Sequence, residues 1–123
     1  MEVIVDSHAL FWFLTGNDKL SPRAKRVIEN ARKVIVPSIV IMEILYILQK
    51  HNLTVRFIEF LAELKSRNYL VYPLDLDIIA QTVTLDSTLE MHDRIIVATA
   101  TLLDVPLVTK DSVIKQLYRK IIW

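Results

Sequence analysis

The chain has 123 residues, 53% hydrophobic and 24% charged, which predicts a single folded domain over residues 1–123 and excludes a disordered chain. Its formal net charge is +1, so the chain as a whole is neither strongly basic nor strongly acidic. The sequence has no cysteine, which excludes a disulfide scaffold and a thiolate metal site and is typical of intracellular proteins, so we expect a cytoplasmic location.

Short apolar segments alternate with segments of helical periodicity along the chain. Ser21 followed by Pro22 is a helix-start signal, Ser38 is expected to cap the helix after the second strand, and Gly16 closes the first helix. In chain order the predicted elements are strand Glu2–Val5, helix Ser7–Leu14, helix Pro22–Arg32, strand Val34–Val36, helix Ser38–Lys50, helix Thr54–Arg67, strand Leu70–Tyr72, helix Asp75–Leu85, helix His92–Leu103, strand Leu107–Val108, a helix capped by Asp111 that reaches about Leu117, and an edge strand Lys120–Ile122.

This alternation predicts an α/β fold, a three-layer α/β/α sandwich with a central, mostly parallel sheet. In such sheets, ligands bind in a crevice at the carboxyl ends of the strands. Asp6 and Asp111 each come just after a predicted strand, so we expect both side chains to point into that crevice.

Hydropathy gives no sign of a membrane segment. The longest apolar stretch, Val34 to Leu48, is interrupted by Pro37 and Glu43, and no stretch approaches the ~20 residues of a membrane span. The first residues lack a basic segment, and Asp6 interrupts their apolar run. We therefore expect neither a membrane span nor a signal peptide.

The charges are unevenly distributed along the chain. Six basic residues and one acid lie between Lys19 and Lys33, whereas five acids and no Lys or Arg lie between Asp75 and Asp93. Such opposite fields suit an anionic polymer bound beside a cation-binding pocket. Taken alone, however, the pattern favours the simpler interpretation of two solvated helix faces.

Four acids are candidate functional residues. Asp6, Asp93 and Asp111 each precede a predicted helix, so each is also interpreted more simply as a helix N-cap. Glu43 lies inside an apolar helix, where a carboxylate is costly unless it is paired, protonated or bound to metal; a salt bridge to Arg or Lys is the alternative. If the four carboxylates converge, a cation would offset their repulsion, and oxygen ligands favour Mg²⁺ or Mn²⁺.

Several segments, in order along the chain, resemble one family. The residues in question are Asp6 to Leu14, Leu20 to Ala24, Ser38 with Glu43 five positions later, His92 to Ala100 (His-Asp-Arg-Ile-Ile-Val-Ala-Thr-Ala) and Leu107 to Asp111 (Leu-Val-Thr-Lys-Asp). Together they resemble the motifs of PIN-domain ribonucleases, in particular the VapC-like toxins of VapBC toxin–antitoxin pairs. The resemblance covers nearly the whole chain and implies a PIN-like fold.

The resemblance also implies a function and its residues. It implies a Mg²⁺- or Mn²⁺-dependent endoribonuclease, with RNA as substrate, a small antitoxin protein as partner and a homodimer as the assembly. Asp6, Glu43, Asp93 and Asp111 would be the catalytic, metal-binding acids. Possible supporting residues are Ser7, Thr109 and Glu90.

Two further expectations concern the surface. We expect basic residues to contact RNA phosphates rather than bases, namely Arg23, Lys25, Arg26, Arg32 and Lys33. We expect a homodimer because the chain has more apolar residues than a small domain buries, with surface candidates among Trp12, Phe57, Phe60, Tyr118 and Trp123.

Other functions remain open at this point. One alternative is a PIN-type nuclease that acts in RNA maturation without an antitoxin. Another is a non-catalytic binding module or a receiver-like signalling domain, which also places an Asp after a parallel strand. A receiver-like domain would carry paired acids at the end of its first strand, where this sequence has only Asp6.

Overall fold

Five parallel strands form the centre of the fold, and helices follow them along the chain. The computed structural model describes residues 1–123. Its strands are β1 (Glu2–Val5), β2 (Lys33–Pro37), β3 (Tyr69–Tyr72), β4 (Leu107–Val108) and β5 (Ile121–Ile122). Its helices are α1 (Ser7–Thr15), α2 (Pro22–Asn30), α3 (Ser38–Lys50), α4 (Thr54–Ser66), α5 (Leu76–Gln81), α6 (Met91–Leu103) and α7 (Ser112–Leu117), with one 3₁₀ turn at Thr82–Thr84.

The strand order, β3-β2-β1-β4-β5, puts β1 at the centre of the sheet, and every pairing is parallel. Val3 pairs with Val34 on one side, and Val5 pairs with Val108 on the other. Because crossovers between parallel strands are right-handed, the reversal of direction after β3 puts α1–α4 on one face and α5–α7 on the other. The predicted three-layer α/β/α sandwich is confirmed.

The central strands are apolar along their whole length because helices cover both of their faces. Val3, Ile4 and Val5 are fully buried, and Val34 and Ile35 are nearly so. Burial of each such side chain contributes about 1.5–3 kcal/mol. Polar chemistry can therefore come to the surface only where these strands end, at the loops that lead into the helices.

Local capping explains where three helices begin. Asp6, Ser21 and Asp111 each accept hydrogen bonds from backbone N–H groups in the first turn of the helix that follows, and Pro22 is the first residue of α2. These predicted helix starts are confirmed. Gly16 ends α1 with φ 66°, a left-handed conformation that glycine adopts without steric cost.

Two predicted caps are wrong. Ser38 is the first residue of α3 instead of its cap, and its hydroxyl accepts a hydrogen bond from the backbone N–H of Leu74. Asp93 is not a cap either, because α6 begins at Met91 and Glu90 occupies the cap position. Asp93 therefore lies inside the first turn of α6 and does not cap the helix.

Two predicted helices end early. Helix α2 stops at Asn30, since the backbone N–H of Arg32 donates to the carbonyl of Met1 and the chain enters the sheet. Arg32 and Lys33 are therefore not on that helix. Helix α5 stops at Gln81 and continues as a 3₁₀ turn, where the Thr82 hydroxyl bonds back to the Ile79 carbonyl, a bond that competes with helix geometry.

The aromatic residues expected at the surface lie deeper than predicted. Phe60 is buried, and Trp12, Phe57, Tyr118 and Trp123 are partly buried against the core. The exposed apolar residues are mainly aliphatic and sulfur-containing. No helix is long and apolar enough to cross a membrane.

Candidate active site

A cavity of about 530 Å³ contains all four predicted acids in its walls, namely Asp6, Glu43, Asp93 and Asp111. Asp6 follows β1 and Asp111 follows β4, at the point where the strand order reverses direction, which is where open α/β sheets bind ligands. Glu43 reaches the cavity from α3 and Asp93 from α6. The structure thus brings together acids that are far apart in the sequence.

Asp6 is nearly buried, with 9% of its surface exposed. Its Oδ1 accepts from the backbone N–H of Ala9 over 2.9 Å, and its Oδ2 accepts from the Thr109 hydroxyl. Burial raises the pKa of Asp6, the two hydrogen bonds oppose that rise, and the nearby charge of Asp111 adds to it. The carboxylate is held rigidly at the end of β1.

Asp111 is tied to Asp6 through Thr109. The Oδ1 atom of Asp111 accepts from the backbone N–H groups of Val113 (2.8 Å) and Ile114 (2.9 Å). The backbone N–H of Asp111 donates to Thr109 Oγ1 over 3.1 Å, while the same hydroxyl donates to Asp6. Thr109, which is fully buried, therefore fixes the two acids relative to each other.

Glu43 lies half-buried on α3 and has no Arg or Lys partner. The Ser7 hydroxyl donates to Glu43 Oε1 over 2.5 Å, and His92 Nε2 lies 3.4 Å from Glu43 Oε2. The alternative of a salt bridge from Glu43 to Arg or Lys is therefore wrong. Ser7 links the start of α1 to α3 through this bond.

Asp93 lines the cavity from the first turn of α6. Its pKa is raised from 3.8 to about 6, first by burial and then by the charge of Asp111, with smaller contributions from Glu43 and Glu90, while His92 lowers it. Burial is the larger cause of this shift, and the charges of the neighbouring carboxylates add to it because no cation offsets them.

The sequence analysis did not identify His92 as a site residue, although it precedes Asp93 on α6. Its Nε2 atom lies 3.1 Å from Glu90 Oε2 as well as near Glu43, so it bridges two acids at the cavity wall. Glu90 itself lines the cavity but is well exposed. As the side chains lie, no group of three or more His, Cys, Asp or Glu residues is arranged to hold a metal ion.

The rim of the cavity includes three residues that were not among the predicted site residues. Trp12, His8 and Lys110 line the cavity next to the acids. Their residue types did not indicate a site: an aromatic residue such as Trp12 in an apolar helix is usually a packing residue, and a single His or Lys has no specific pattern. Only their position at the mouth of the cavity makes them candidates.

The basic residues expected to contact RNA lie apart from this cavity. Arg23 and Arg26 line a second cleft of about 300 Å³ beside Met1, and Lys25 lines a third groove. Arg32 forms an ion pair with Glu2. None of these residues lines the acid cavity.

Comparison with known proteins bears on the family and on the fold. The sequence matches the PIN domain family over residues 3–120. No curated protein sequence matches it.

Several solved structures are similar in fold. A toxin–antitoxin complex from Klebsiella pneumoniae has a TM-score of 0.74 at 21% identity, covering 98% of this chain and 96% of that chain. VapBC2 from Rickettsia felis, bound to a DNA fragment from its promoter, has a TM-score of 0.74 at 15% identity and the same coverage. DNA-bound VapBC from Salmonella typhimurium has a TM-score of 0.74 at 16% identity, covering 98% and 95%. At these identities the likeness concerns the fold alone.

Proposed function

The chain belongs to the PIN domain family, and on that premise we propose that it is a metal-dependent endoribonuclease and the toxin of a toxin–antitoxin pair. The observation that carries the nuclease proposal is the single cavity lined by Asp6, Glu43, Asp93 and Asp111. The receiver-like alternative loses support, because that fold has the strand order 2-1-3-4-5, whereas this sheet has β3-β2-β1-β4-β5.

The donor set fits a hard divalent cation, Mg²⁺ or Mn²⁺. Carboxylate oxygens are the ligands these ions prefer. Burial is the main cause of the raised pKa values of Asp6 and Asp93, and the charge of Asp111 adds to both; a cation would offset that charge. Asp6, Glu43, Asp93 and Asp111 would hold the ion. When bound, the cation would neutralise charge on a phosphodiester and favour ionisation of a water molecule.

The chain's own residues orient that chemistry. The Thr109 hydroxyl fixes Asp6, and the Ser7 hydroxyl fixes Glu43, so two acids from different elements keep one orientation. We expect Ser7→Ala and Thr109→Val to lower RNA cleavage by about 10- to 100-fold, the range found when outer partners of metal ligands are removed. His92 and Glu90 would adjust charge at the cavity wall.

The direct test is cleavage of a panel of cellular RNAs with Mg²⁺, with Mn²⁺ and with EDTA. We expect cleavage only with metal, and a loss of at least ~100-fold for Asp6→Asn, Glu43→Gln, Asp93→Asn and Asp111→Asn. Asp77→Asn is the matched control, because Asp77 is an exposed acid on α5. Cleavage that persists in EDTA, or in all four variants, would contradict the proposal.

The proposed antitoxin would cover the acid cavity with a basic side chain and bury apolar surface elsewhere. The structural neighbours are toxin–antitoxin complexes, which supports a partner of this kind. A groove of about 880 Å³ among α1, α2, α3 and α4 is lined by apolar residues, which include Phe13, Leu48 and Leu53, and by charged residues between them. We propose this groove as the apolar part of the antitoxin contact.

Affinity capture from the native host tests this partner. The parent chain should retain a small protein, and Leu53→Asp should retain much less of it without loss of cleavage. Val83→Asp, an equally drastic change at a residue that is 85% exposed on the 3₁₀ turn, is the control. If the parent captures no small protein, the function without an antitoxin, in RNA maturation, is favoured.

RNA would also contact the basic residues near α2 through its phosphates, namely Arg23, Lys25, Arg26, Arg32 and Lys33. Arg32 should contribute least, because Glu2 already neutralises it. Replacing Arg23, Lys25 and Arg26 with Gln should lower the slope of log affinity against log salt by about 2 for single-stranded RNA. Lys65→Gln, on α4, is the single-charge control, and an unchanged slope in the triple variant would refute the contact.

We further propose that two copies of the chain associate. The support is that strongly exposed apolar side chains occur together on neighbouring elements, because monomeric proteins seldom leave large contiguous apolar patches exposed.

A further inference from the structure

An aromatic and cationic cluster lies at the rim of the acid cavity. The Trp12 indole, on α1, lines the cavity together with His8, Lys110 and the four acids. It is the only aromatic residue apart from histidine in the cavity wall. Part of the Trp12 side chain packs on the core, and the rest stays accessible at the cavity wall.

Two aromatic rings pack against Trp12, and two positively charged ammonium groups lie beside it. The centroid of the His8 ring lies 5.4 Å from that of Trp12, with 37° between the two ring planes. The Trp123 ring packs edge-on against Trp12, with 6.0 Å between the centroids. The Nζ atoms of Lys19 and Lys110 each lie 5.9 Å from the centroid of the Trp12 ring. Two ammonium groups from separate loops thus converge on one indole at the edge of an acidic cavity.

This arrangement suits a nucleotide better than it suits packing. The acid cavity repels RNA by its own charge, so a substrate phosphate needs cations next to it. An indole offers a stacking face to any nucleobase, and stacking on an aromatic side chain is a main source of affinity for single-stranded RNA. Stacking of a base outweighs the attraction between an exposed lysine and an aromatic ring, so the lysines are available to turn towards phosphates.

We propose that Trp12, Lys19 and Lys110 form a nucleotide subsite in which a base next to the scissile bond stacks on Trp12 while the two lysines contact the flanking phosphates. The inference rests on the proposed ribonuclease function and adds a substrate class to it. Because a base must leave its own helix to stack on Trp12, the substrate at this point is single-stranded RNA.

The two tryptophans of the chain allow a direct binding test. In the Trp123→Phe variant, Trp12 is the only tryptophan, and its fluorescence should be quenched when the RNA hexamer (rA)₆ is added in Ca²⁺, with intact RNA verified afterwards. A hexamer of abasic nucleotides keeps the phosphates but should not quench. Equal quenching by both oligomers, or none by (rA)₆ although the parent cleaves it, would overturn the proposal.

Substitutions at Trp12 test the same point by affinity. Trp12→Leu should weaken (rA)₆ binding about 10-fold, and Trp12→Phe, which keeps an aromatic face, should weaken it much less. Neither change should alter affinity for the abasic hexamer or for a duplex of the same length. Since Trp12 packs partly on the core, melting curves identify any variant that is not folded, and the Phe variant then keeps the test valid.

The lysines are tested by salt dependence and by kinetics. Lys110→Gln should lower the salt slope for (rA)₆ by about 0.7, the value for one phosphate contact, and should raise KM more than it lowers kcat. Lys65→Gln, which removes one exposed lysine on α4, should change neither. If the Trp12 and Lys110 variants bind RNA as the parent does but lose a protein partner, the cluster is a protein contact and the proposal is wrong. If the parent neither binds nor cleaves any RNA, the ribonuclease function itself fails.

Discussion

At the scale of single residues, capping and lining the cavity are compatible roles, although the sequence presents them as alternatives. Asp111 accepts the backbone N–H groups of Val113 and Ile114, at the start of α7, with Oδ1 alone. Its Oδ2 therefore accepts no hydrogen bond from the start of the helix. Asp6 gives Oδ1 to the start of α1 and Oδ2 to Thr109. In both residues the cap fixes the carboxylate at the cavity wall.

Amide substitutions separate these two roles. Because Asn caps a helix about as well as Asp, Asp6→Asn and Asp111→Asn should melt within a few degrees of the parent in EDTA, or above it, since one repelling charge is removed. Millimolar Mn²⁺ should raise the melting temperature of the parent by mass action and raise those of the variants far less. The measurement is a pair of melting curves for each protein.

The same comparison contains its own control. Asp75 caps α5 by accepting from Ile78 but does not line the cavity. Asp75→Asn should therefore keep the full shift with Mn²⁺. If Asp6→Asn and Asp111→Asn also keep the full shift, these two acids are only caps.

The raised pKa of Asp93 makes a prediction about pH. Its pKa is about 6 in the folded chain, above the usual 3.8, so the folded state binds this proton more tightly than the unfolded state does. Its contribution to stability is therefore present below about pH 4 and is lost as pH rises through 6. In EDTA, Asp93→Asn should gain about 1 kcal/mol over the parent between pH 4 and pH 7, after allowance for solvent screening.

Denaturant unfolding at several pH values checks this. Asp77→Asn, on an exposed acid, should run parallel to the parent. A stability difference between parent and Asp93→Asn that stays constant from pH 4 to pH 7 would contradict the assigned cause of the shift.

At the scale of elements, the sequence predicts what local chemistry controls. Strands β1 and β4 have the predicted bounds, because a buried parallel strand is an unbroken apolar run. Ser21 starts α2 because its oxygen and the fixed φ of Pro22 act on neighbouring residues. Ser38 does not cap α3, and its hydroxyl instead accepts a hydrogen bond from the backbone N–H of Leu74, 36 positions away. No local sequence pattern predicts a contact over that distance.

The candidate site likewise contains some residues that the sequence predicts and others that only the tertiary structure brings to it. The four acids are recognisable from family motifs, and Thr109 and Ser7 come with those motifs. His92 and the rim around Trp12 depend on how α1, α3 and α6 lie against one another, which only the tertiary structure specifies.

The two serines give a matched prediction at this scale. Ser21 accepts from the backbone N–H of Ala24 over 3.0 Å at the start of α2, so Ser21→Ala should cost about 1 kcal/mol of unfolding free energy. Ser38→Ala removes a hydroxyl that caps no helix and accepts one exposed hydrogen bond, from the backbone N–H of Leu74, so it should cost less than Ser21→Ala. Urea unfolding of the two variants measures both values, and equal losses would contradict the cap assignment.

At the scale of the whole molecule, two groups of strongly exposed apolar residues lie on neighbouring elements. One lies on α3 and α4 and contains Tyr46, Val55 and Ile58; the other follows β3 and contains Leu76 and Val83. Each of these five side chains is at least 67% exposed. In addition, β3 is an edge strand with Leu70 and Val71 exposed, and such edges are normally covered or charged.

A homodimer should use one of these groups. We expect analytical ultracentrifugation of the parent at micromolar concentration to give a dimer. Of the variants Val55→Glu with Ile58→Glu, and Leu76→Glu with Val83→Glu, one should become monomeric and the other should stay dimeric. A monomeric parent, or two dimeric variants, would contradict the proposed interface.

The pairing of β1 with β4 also affects how fast the chain acquires its site. The Thr109 hydroxyl and Asp6 are 103 positions apart, and such long-range contacts slow folding because a large loop must close before they form. The half of the sheet made by β1, β2 and β3 can assemble from shorter loops, yet it contains neither Asp93 nor Asp111. During refolding from urea, the Mn²⁺-induced stabilisation should therefore return only with the slowest phase seen by tryptophan fluorescence. An earlier return would mean that β1 pairs with β4 before the rest of the chain folds.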